Sequence, residues 1–129
     1  MSFETKRELN TAFDEVVAQL PGALKSEGFG VLTEIDIQDT LKKKLGVDFR
    51  RYKIIGACNP TFAHQALQAE LEVGLLLPCN VIVYESDRAT TVVSAIDPTQ
   101  TMAAVGNPKL VELAGQVRDK LARALSQLA

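Results

Sequence analysis

Two β-branched runs joined by four turn-forming residues constrain this chain more than any other feature. The runs span Val81 to Glu85 and Thr90 to Ile96, and Ser86-Asp87-Arg88-Ala89 connects them. Runs of this composition with so short a connection are typical of a β-hairpin. Because the two strands of a hairpin are antiparallel, the sheet that contains them is expected to be largely antiparallel.

The remaining patterns predict three further strands and three or four helices. Asn59-Pro60 and Asn107-Pro108 indicate helix starts, because Asn accepts backbone N–H groups at an N-cap and Pro needs no donor at the first helical position. Strands and helices do not alternate strictly, which favours an α+β domain with its helices on one face of the sheet over a doubly wound fold. The predicted strands cover residues 3–9, 30–37, 49–57, 81–85 and 90–96, and the predicted helices cover 13–24, 39–45, a segment from 60 and a segment from 108.

Pro21-Gly22 interrupts the first predicted helix. An interior proline removes one backbone donor and costs about 3 kcal/mol, so we expect a kink or a split there. Gly28 is expected to end this helix, and Leu41 and Leu45 are expected to point inward from the second.

The composition is that of one folded domain over residues 1–129. A chain of 129 residues with 47% apolar and 23% charged residues buries roughly two-thirds of its unfolded surface. Two cysteines and no charged leader at the start predict a cytoplasmic protein with reduced thiols. The longest apolar run, Val73 to Leu77, is far shorter than the roughly 20 residues of a membrane span, so no membrane partner is predicted.

Charge is distributed unevenly along the chain. The net charge of -2 gives no overall positive field, so no nucleic-acid partner is predicted. Six of the 14 cations nevertheless lie between Lys42 and Lys53. This segment is either a solvated face or a surface that attracts an anionic ligand or an acidic partner.

The chain's cysteines and its only histidine are Cys58, Cys79 and His64. If the strand that ends at Cys58 lies beside the strand that begins at Cys79, the three side chains converge, since His64 lies about one turn into the intervening helix. Thiolates and an imidazole suit zinc or copper with one open coordination position. The alternative is that both thiols are packing residues, because free cysteine is among the most buried residue types.

Cys58 also stands directly before a predicted helix start. Oriented amides and the positive end of the helix dipole favour a thiolate there. The same amides suit a small anion, with Arg51 or Lys53 on the preceding strand as a cationic partner. Asn59 and Asn80, each adjacent to a cysteine, complete the candidate ligand-binding residues.

Five ordered motifs carry a family resemblance over almost the whole chain. They are Gly28 to Asp36, Lys44 to Phe49, Tyr52 to Pro60, Gly74 to Val81, and Asp97-Pro98. In these segments the chain resembles the domain of unknown function 302 family. The resemblance implies a small two-layer sandwich with a curved antiparallel sheet, and a homodimer, but it implies no function.

The sequence therefore leaves three functional hypotheses. The first is a module that binds a small molecule, an anion or a metal at Cys58, His64 and Cys79. The second is a structural or protein-interaction homodimer with inert cysteines, in which the apolar segment Val73 to Leu77 needs cover by a second copy. The third is a thiol enzyme with Cys58 as the candidate catalytic nucleophile and His64 as its base.

Overall fold

The structure, a computed structural model that describes residues 4–129, contains one antiparallel sheet of five strands in that part of the chain. The strands are β1 (Glu4–Leu9), β2 (Gly30–Asp36), β3 (Tyr52–Cys58), β4 (Cys79–Glu85) and β5 (Thr91–Ile96). Their order is β1-β5-β4-β3-β2, and every neighbouring pair is antiparallel. The predicted α+β class and the β4–β5 hairpin are confirmed, while Phe3, the predicted start of the first strand, lies outside the described residues.

Helices follow and separate these strands. They are α1 (Phe13–Ser26), α2 (Ile37–Leu45), α3 (Pro60–Ala69), α4 (Pro98–Met102) and α5 (Pro108–Ser126), with 3₁₀ helices at Leu71–Leu76 and Ala103–Val105. α1 and α5 pack on each other and on the sheet, and α3 packs on α5. Both Asn-Pro pairs open a helix as predicted. In residues 4–129, no helix combines the length and the hydropathy that a membrane span requires.

The core lies between the sheet and the α1–α5 pair. Strands β3, β4 and β5 contribute one alternating set of side chains to it, as the two-residue period of a strand requires. Burying each large aliphatic side chain there stabilises the fold by about 1.5–3 kcal/mol. The fully buried leucines and valines include Leu20, Leu24, Leu121, Leu125, Val16, Val81, Val83 and Val93.

α1 differs from its prediction at Pro21. The helix continues without a break from Phe13 to Ser26, so the expected split is wrong. Pro21 and Gly22 are both exposed. Water can therefore hydrogen-bond the carbonyl that the proline leaves without a donor. The helix ends as predicted, because Gly28 adopts a φ of 86° and donates its N–H to the Lys25 carbonyl.

The start of α2 and the start of β3 also differ from the sequence pattern. The Asp36 carboxylate accepts the Asp39 N–H at 2.9 Å, so α2 begins at Ile37, two residues before the predicted start. β3 begins at Tyr52, three residues later than predicted, and continues through Cys58. Leu45 is 70% exposed, so the prediction that it points inward is wrong.

β2 and α2 together form the exposed edge of the molecule. All seven residues of β2 are exposed, and α2 has no buried residue. β2 is an edge strand, and within residues 4–129 its one strand partner is β3. This β2–α2 edge, residues 30–45, therefore contributes little to the core.

Candidate functional site

Cys58 occupies the last position of β3, and one residue, Asn59, separates it from α3. Asn59 is the N-cap residue, but its side chain makes no capping hydrogen bond. Instead, its amide nitrogen donates to the Glu27 carbonyl at 3.3 Å. That amide lies so close to Gly28 that a Cβ there would meet it at 3.0 Å. The Asn59 side chain thus ties the start of α3 to the end of α1, and the sequence did not indicate this role.

Cys79 begins β4 on the strand that pairs with β3. In the register of the two strands, Cys79 lies opposite Ala57, so Cys58 and Cys79 are one position out of register and do not form a cross-strand pair on one face. The Leu77–Pro78 peptide bond that leads into β4 is cis. Pro78 packs against Gly56, where a Cβ would come within 2.8 Å of the proline ring. The close approach of Pro78 to Gly56 places the start of β4 tightly against β3 beside Cys58.

Both cysteines line one small apolar cavity, which we call the thiol cavity. Its volume is about 30 Å³, which is enough for about two water molecules. β3, β4 and the turns beside them supply one part of its wall, and α3, α4 and α5 supply another. No charged side chain lines it in the part of the chain that the structure describes. The lining residues are Phe29, Ala57, Cys58, Asn59, Phe62, Ala63, Ala66, Leu77, Pro78, Cys79, Met102, Leu113, Ala114 and Val117.

The two thiols have different surroundings within this cavity. Cys79 is buried, whereas Cys58 is half-buried. Burial, with a smaller contribution from the neighbouring Cys58, raises the pKa of the Cys79 thiol to about 11. Cys79 is therefore protonated near neutral pH, and Cys58 provides the accessible part of the wall.

Comparison with known proteins agrees with this fold. A family model described as "Domain of unknown function DUF302" matches residues 5–128. The chain belongs to the DUF302 family. The crystal structure of an uncharacterised conserved DUF302 protein from Bacillus stearothermophilus is similar over 100% of both chains, with 32% identity and a TM-score of 0.93. No curated protein matches the chain. The resemblance in the sequence motifs is thereby confirmed.

His64 lies apart from the thiols in this DUF302 domain. It is exposed on α3 and is absent from the lining of the thiol cavity, although Phe62, Ala63 and Ala66 of the same helix belong to that lining. Among residues 4–129, no group of three His, Cys, Asp or Glu side chains is arranged to hold a metal ion. Cys58 and Cys79 thus line the same cavity, and the expectation that His64 joins them there is corrected.

Arg51 and Lys53 also lie away from the cavity, at the opposite end of β3 from Cys58. Five residues of extended chain separate Lys53 from Cys58, about 16 Å along the strand. Both cations have other partners. Lys53 pairs with Glu34 at 2.7 Å, and the Arg51 guanidinium makes two hydrogen bonds to Asp14 at 2.6 and 3.1 Å. The expectation that they assist an anion at the start of α3 is corrected.

Asn80 is adjacent to Cys79 in sequence but lies on the other face of the sheet. It is exposed and lines separate surface depressions with Ile96 rather than the thiol cavity. Successive residues of a strand point to opposite faces, so a neighbour of a core-facing cysteine is expected to point away from it. Asn80 therefore does not line the thiol cavity.

Met102 and Phe62 are cavity residues that the sequence did not single out. Met102 is buried and comes from α4, a five-residue helix that was not predicted. Asp97 caps that helix, because its carboxylate accepts the Thr99 N–H at 2.9 Å. Phe62 faces the cavity from the first turn of α3, with the Lys120 ammonium 5.9 Å from its ring centroid.

Proposed function

We propose that this DUF302 domain is a binding module whose ligand enters the thiol cavity and contacts sulfur. The observation that supports the proposal most directly is that Cys58 and Cys79 both line one small apolar cavity, and that Cys58 is only half-buried. The volume of about 30 Å³ suits an ion or a group of a few atoms.

Binding fits the arrangement better than thiol catalysis. A catalytic cysteine needs a base within hydrogen-bond reach, and the described lining of the cavity contains no histidine, carboxylate or amine. His64 is exposed elsewhere on α3. The raised pKa of Cys79 further favours its neutral thiol, which is a poor nucleophile.

The proposal is tested with methylmercury, a small probe that bonds to thiolate sulfur. Native protein at neutral pH is exposed to it, and bound mercury is located by mass spectrometry of peptides. We expect uptake at Cys58 without unfolding. Ala63→Leu, which adds volume at the cavity wall, should slow this uptake at least about tenfold. Leu67→Ala, an exposed change on the same helix, should leave the rate unchanged.

Two results would refute this binding site. One is that Cys58 takes up methylmercury only after the protein is unfolded in denaturant, which would make both cysteines packing residues. The other is equal uptake rates in wild type and Ala63→Leu, which would mean that Cys58 reacts from the outer surface rather than from the cavity.

A second proposal, carried by a different observation, is that the β2–α2 edge is covered by another copy of the chain. Val31, Leu32 and Ile35 of β2 are exposed by 39%, 64% and 45%, which is unusual for three large apolar residues on one seven-residue strand. An uncovered edge strand of this kind invites pairing with another strand. An identical edge related by a two-fold axis supplies a matching strand.

Sedimentation of matched variants tests the homodimer. We expect wild type to sediment as a dimer in the micromolar range and Leu32→Glu to sediment as a monomer. Leu75→Glu tests the alternative interface predicted at residues 73–77. Leu75 is 85% exposed and lies outside the β2–α2 edge, so this substitution should leave the dimer intact. A wild-type monomer at all concentrations would contradict the proposal, and dissociation by Leu75→Glu alone would move the interface to the Leu71–Leu76 segment.

A further inference from the structure

Ser94 is a buried polar residue without a hydrogen-bond partner. It lies on β5 between Val93 and Ala95, which face the core, so its side chain points to the other face of the sheet. Only 5% of Ser94 is exposed, and its Oγ atom has no hydrogen-bond partner in residues 4–129. A buried hydroxyl that stays unpaired is costly, so this one requires a partner from outside the chain, which is either water or a ligand.

Ser94 lies in an open depression of about 200 Å³ on that face of the sheet. Strands β1, β4 and β5 form its floor. Lys6 of β1 is opposite Ser94, and Ser94 is opposite Ile82 of β4. Directly opposite residues have Cβ atoms about 4.5–5.5 Å apart, so these three side chains form one row across the strands. The depression is several times larger than the thiol cavity and has room for a small organic molecule.

The polar groups around Ser94 are mainly hydrogen-bond donors. The Lys6 ammonium, the Asn80 amide and the Ser94 hydroxyl all line the depression, and each of them can donate. Glu4 is the one acidic residue in the described lining, and it lies opposite Ile96, one row away from Lys6 and Ser94. A carboxylate accepts several hydrogen bonds and carries a negative charge, so it matches this set of donors.

A second depression, of about 250 Å³, adjoins the first. Asn80 and Ile96 line both of them. The other wall of the second depression includes Leu75, Leu76 and Leu77, and Leu75 is 85% exposed. We call the two depressions together the sheet groove. Donors at one end and exposed leucine at the other end fit a ligand with an anionic head and an apolar chain.

We propose that the sheet groove binds a carboxylic acid that carries a medium-length alkyl chain. The carboxylate accepts hydrogen bonds from Ser94 Oγ and Asn80 Nδ2 and pairs with Lys6 Nζ. The alkyl chain lies over Ile96 and extends toward Leu75. This site is separate from the thiol cavity, and it lies at the opposite side of the sheet from the β2–α2 edge. Its failure would therefore leave the proposed binding function of the thiol cavity unchanged.

The test is an NMR titration of the full chain with octanoate, followed through the backbone amide signals. Octanamide, which lacks the charge, and acetate, which lacks the chain, are the matched compounds. We expect octanoate to shift the signals of Ser94 and Ile96 and to bind at least about tenfold more tightly than either compound.

Two variants test the assigned donors. Ser94→Ala and Lys6→Gln should each weaken octanoate binding about fivefold or more, because each removes one donor to the carboxylate. Lys25→Gln is the control, since it removes an exposed lysine of α1, on the other side of the sheet, and should bind octanoate as wild type does. The amide spectrum of each variant shows whether it is folded, and Lys6→Gln keeps the test decisive if Ser94→Ala is not.

Three results would overturn the carboxylate site. The first is no shift at Ser94 or Ile96 at any octanoate concentration below micelle formation, which would leave water as the partner of Ser94. The second is equal affinity for octanoate and octanamide, which would mean that the donors do not select an anion. The third is wild-type affinity in folded Lys6→Gln, or a loss in Lys25→Gln as large as in Lys6→Gln.

Discussion

The centre of the sheet and the β2–α2 edge have similar sequence patterns but very different surroundings. In β3, β4 and β5, the apolar residues on the face that α1 and α5 cover are buried, and β5 is buried on both faces from Thr91 to Ala95. β2 contains Val31 and Ile35 in a comparable pattern, yet all seven of its residues are exposed. The difference shows that a strand's apolar pattern defines its sides, while burial depends on whether another layer covers them.

Truncation of a leucine should show the largest difference between these regions. Leu121→Ala in α5 removes a side chain that is only 1% exposed, so it should lower the free energy of unfolding by about 2–5 kcal/mol. Leu32→Ala in β2 should change it by no more than about 0.5 kcal/mol in the monomer. Urea unfolding at low protein concentration measures both values. Equal losses would mean that β2 belongs to the core after all.

The buried thiol at the start of β4 should make stability depend on alkaline pH. The pKa of Cys79 is about 11 in the folded state against an ordinary value of 9.0. The neutral thiol therefore stabilises the folded state fully below pH 9, and this stabilisation is lost as the pH rises through 11. This shift of about two units corresponds to about 3 kcal/mol at most. We expect wild type to lose stability between pH 9 and 11 by more than Cys79→Ala does. Parallel pH profiles would contradict the burial of this thiol.

Two glycine substitutions compare a tight region with an open one. Gly56→Ala on β3 places a Cβ 2.8 Å from the Pro78 ring, and we expect a loss of about 1–3 kcal/mol. Gly22→Ala in α1 has no atom within 4 Å of its Cβ, and a helical alanine should stabilise the fold by about 0.5–1 kcal/mol. Thermal unfolding measures both changes, and the midpoint should fall for Gly56→Ala and rise for Gly22→Ala. A neutral Gly56→Ala would mean that β3 and the turn before β4 are not tightly packed.

The smallest effect on stability is expected just before β3, where the Arg51 guanidinium forms an exposed ion pair with Asp14. The hydrogen bond from Arg51, with its charge, lowers the pKa of the Asp14 carboxyl below the ordinary 3.8. Because this pKa is lower in the folded state, the ionised carboxylate stabilises the fold at pH values above the pKa of the unfolded state. That stabilisation is lost as the pH falls through the pKa of the folded state. NMR titration of the Asp14 carboxyl in wild type and Arg51→Gln should show a higher pKa in the variant. An unchanged pKa would show that the pair does not persist in solution.

Local signals in the sequence predicted most of the fold. The Asn-Pro pairs gave two helix starts, and the β-branched runs gave the hairpin, because these signals depend on the chemistry of adjacent residues. The exposure of β2 and the inclusion of Met102 depend on contacts between distant segments, which adjacent residues do not determine. α4 was missed because a helix of five residues is too short to show an apolar period.

The candidate site was predicted in the same partial way. Pairing of β3 with β4 brings the strand ends that carry Cys58 and Cys79 together, as the strand assignments implied. The side-chain direction of His64 depends on how α3 is rotated about its axis, and that rotation is set by packing of Phe62 and Ala66 on α5 and its neighbours. Lys53 was assigned to the correct strand but lies toward its other end, and Arg51 lies one residue before that strand begins.

Cys58 and Cys79 line one cavity but differ in access, since Cys58 is half-buried and Cys79 is buried. Peptide-resolved alkylation of native protein by iodoacetamide tests it most directly. We expect Cys58 to be modified at least about 100-fold faster than Cys79 in the folded protein, and the two modification rates to converge in denaturant. Resistance of Cys58 until the protein unfolds, or equal native rates for the two thiols, would contradict it.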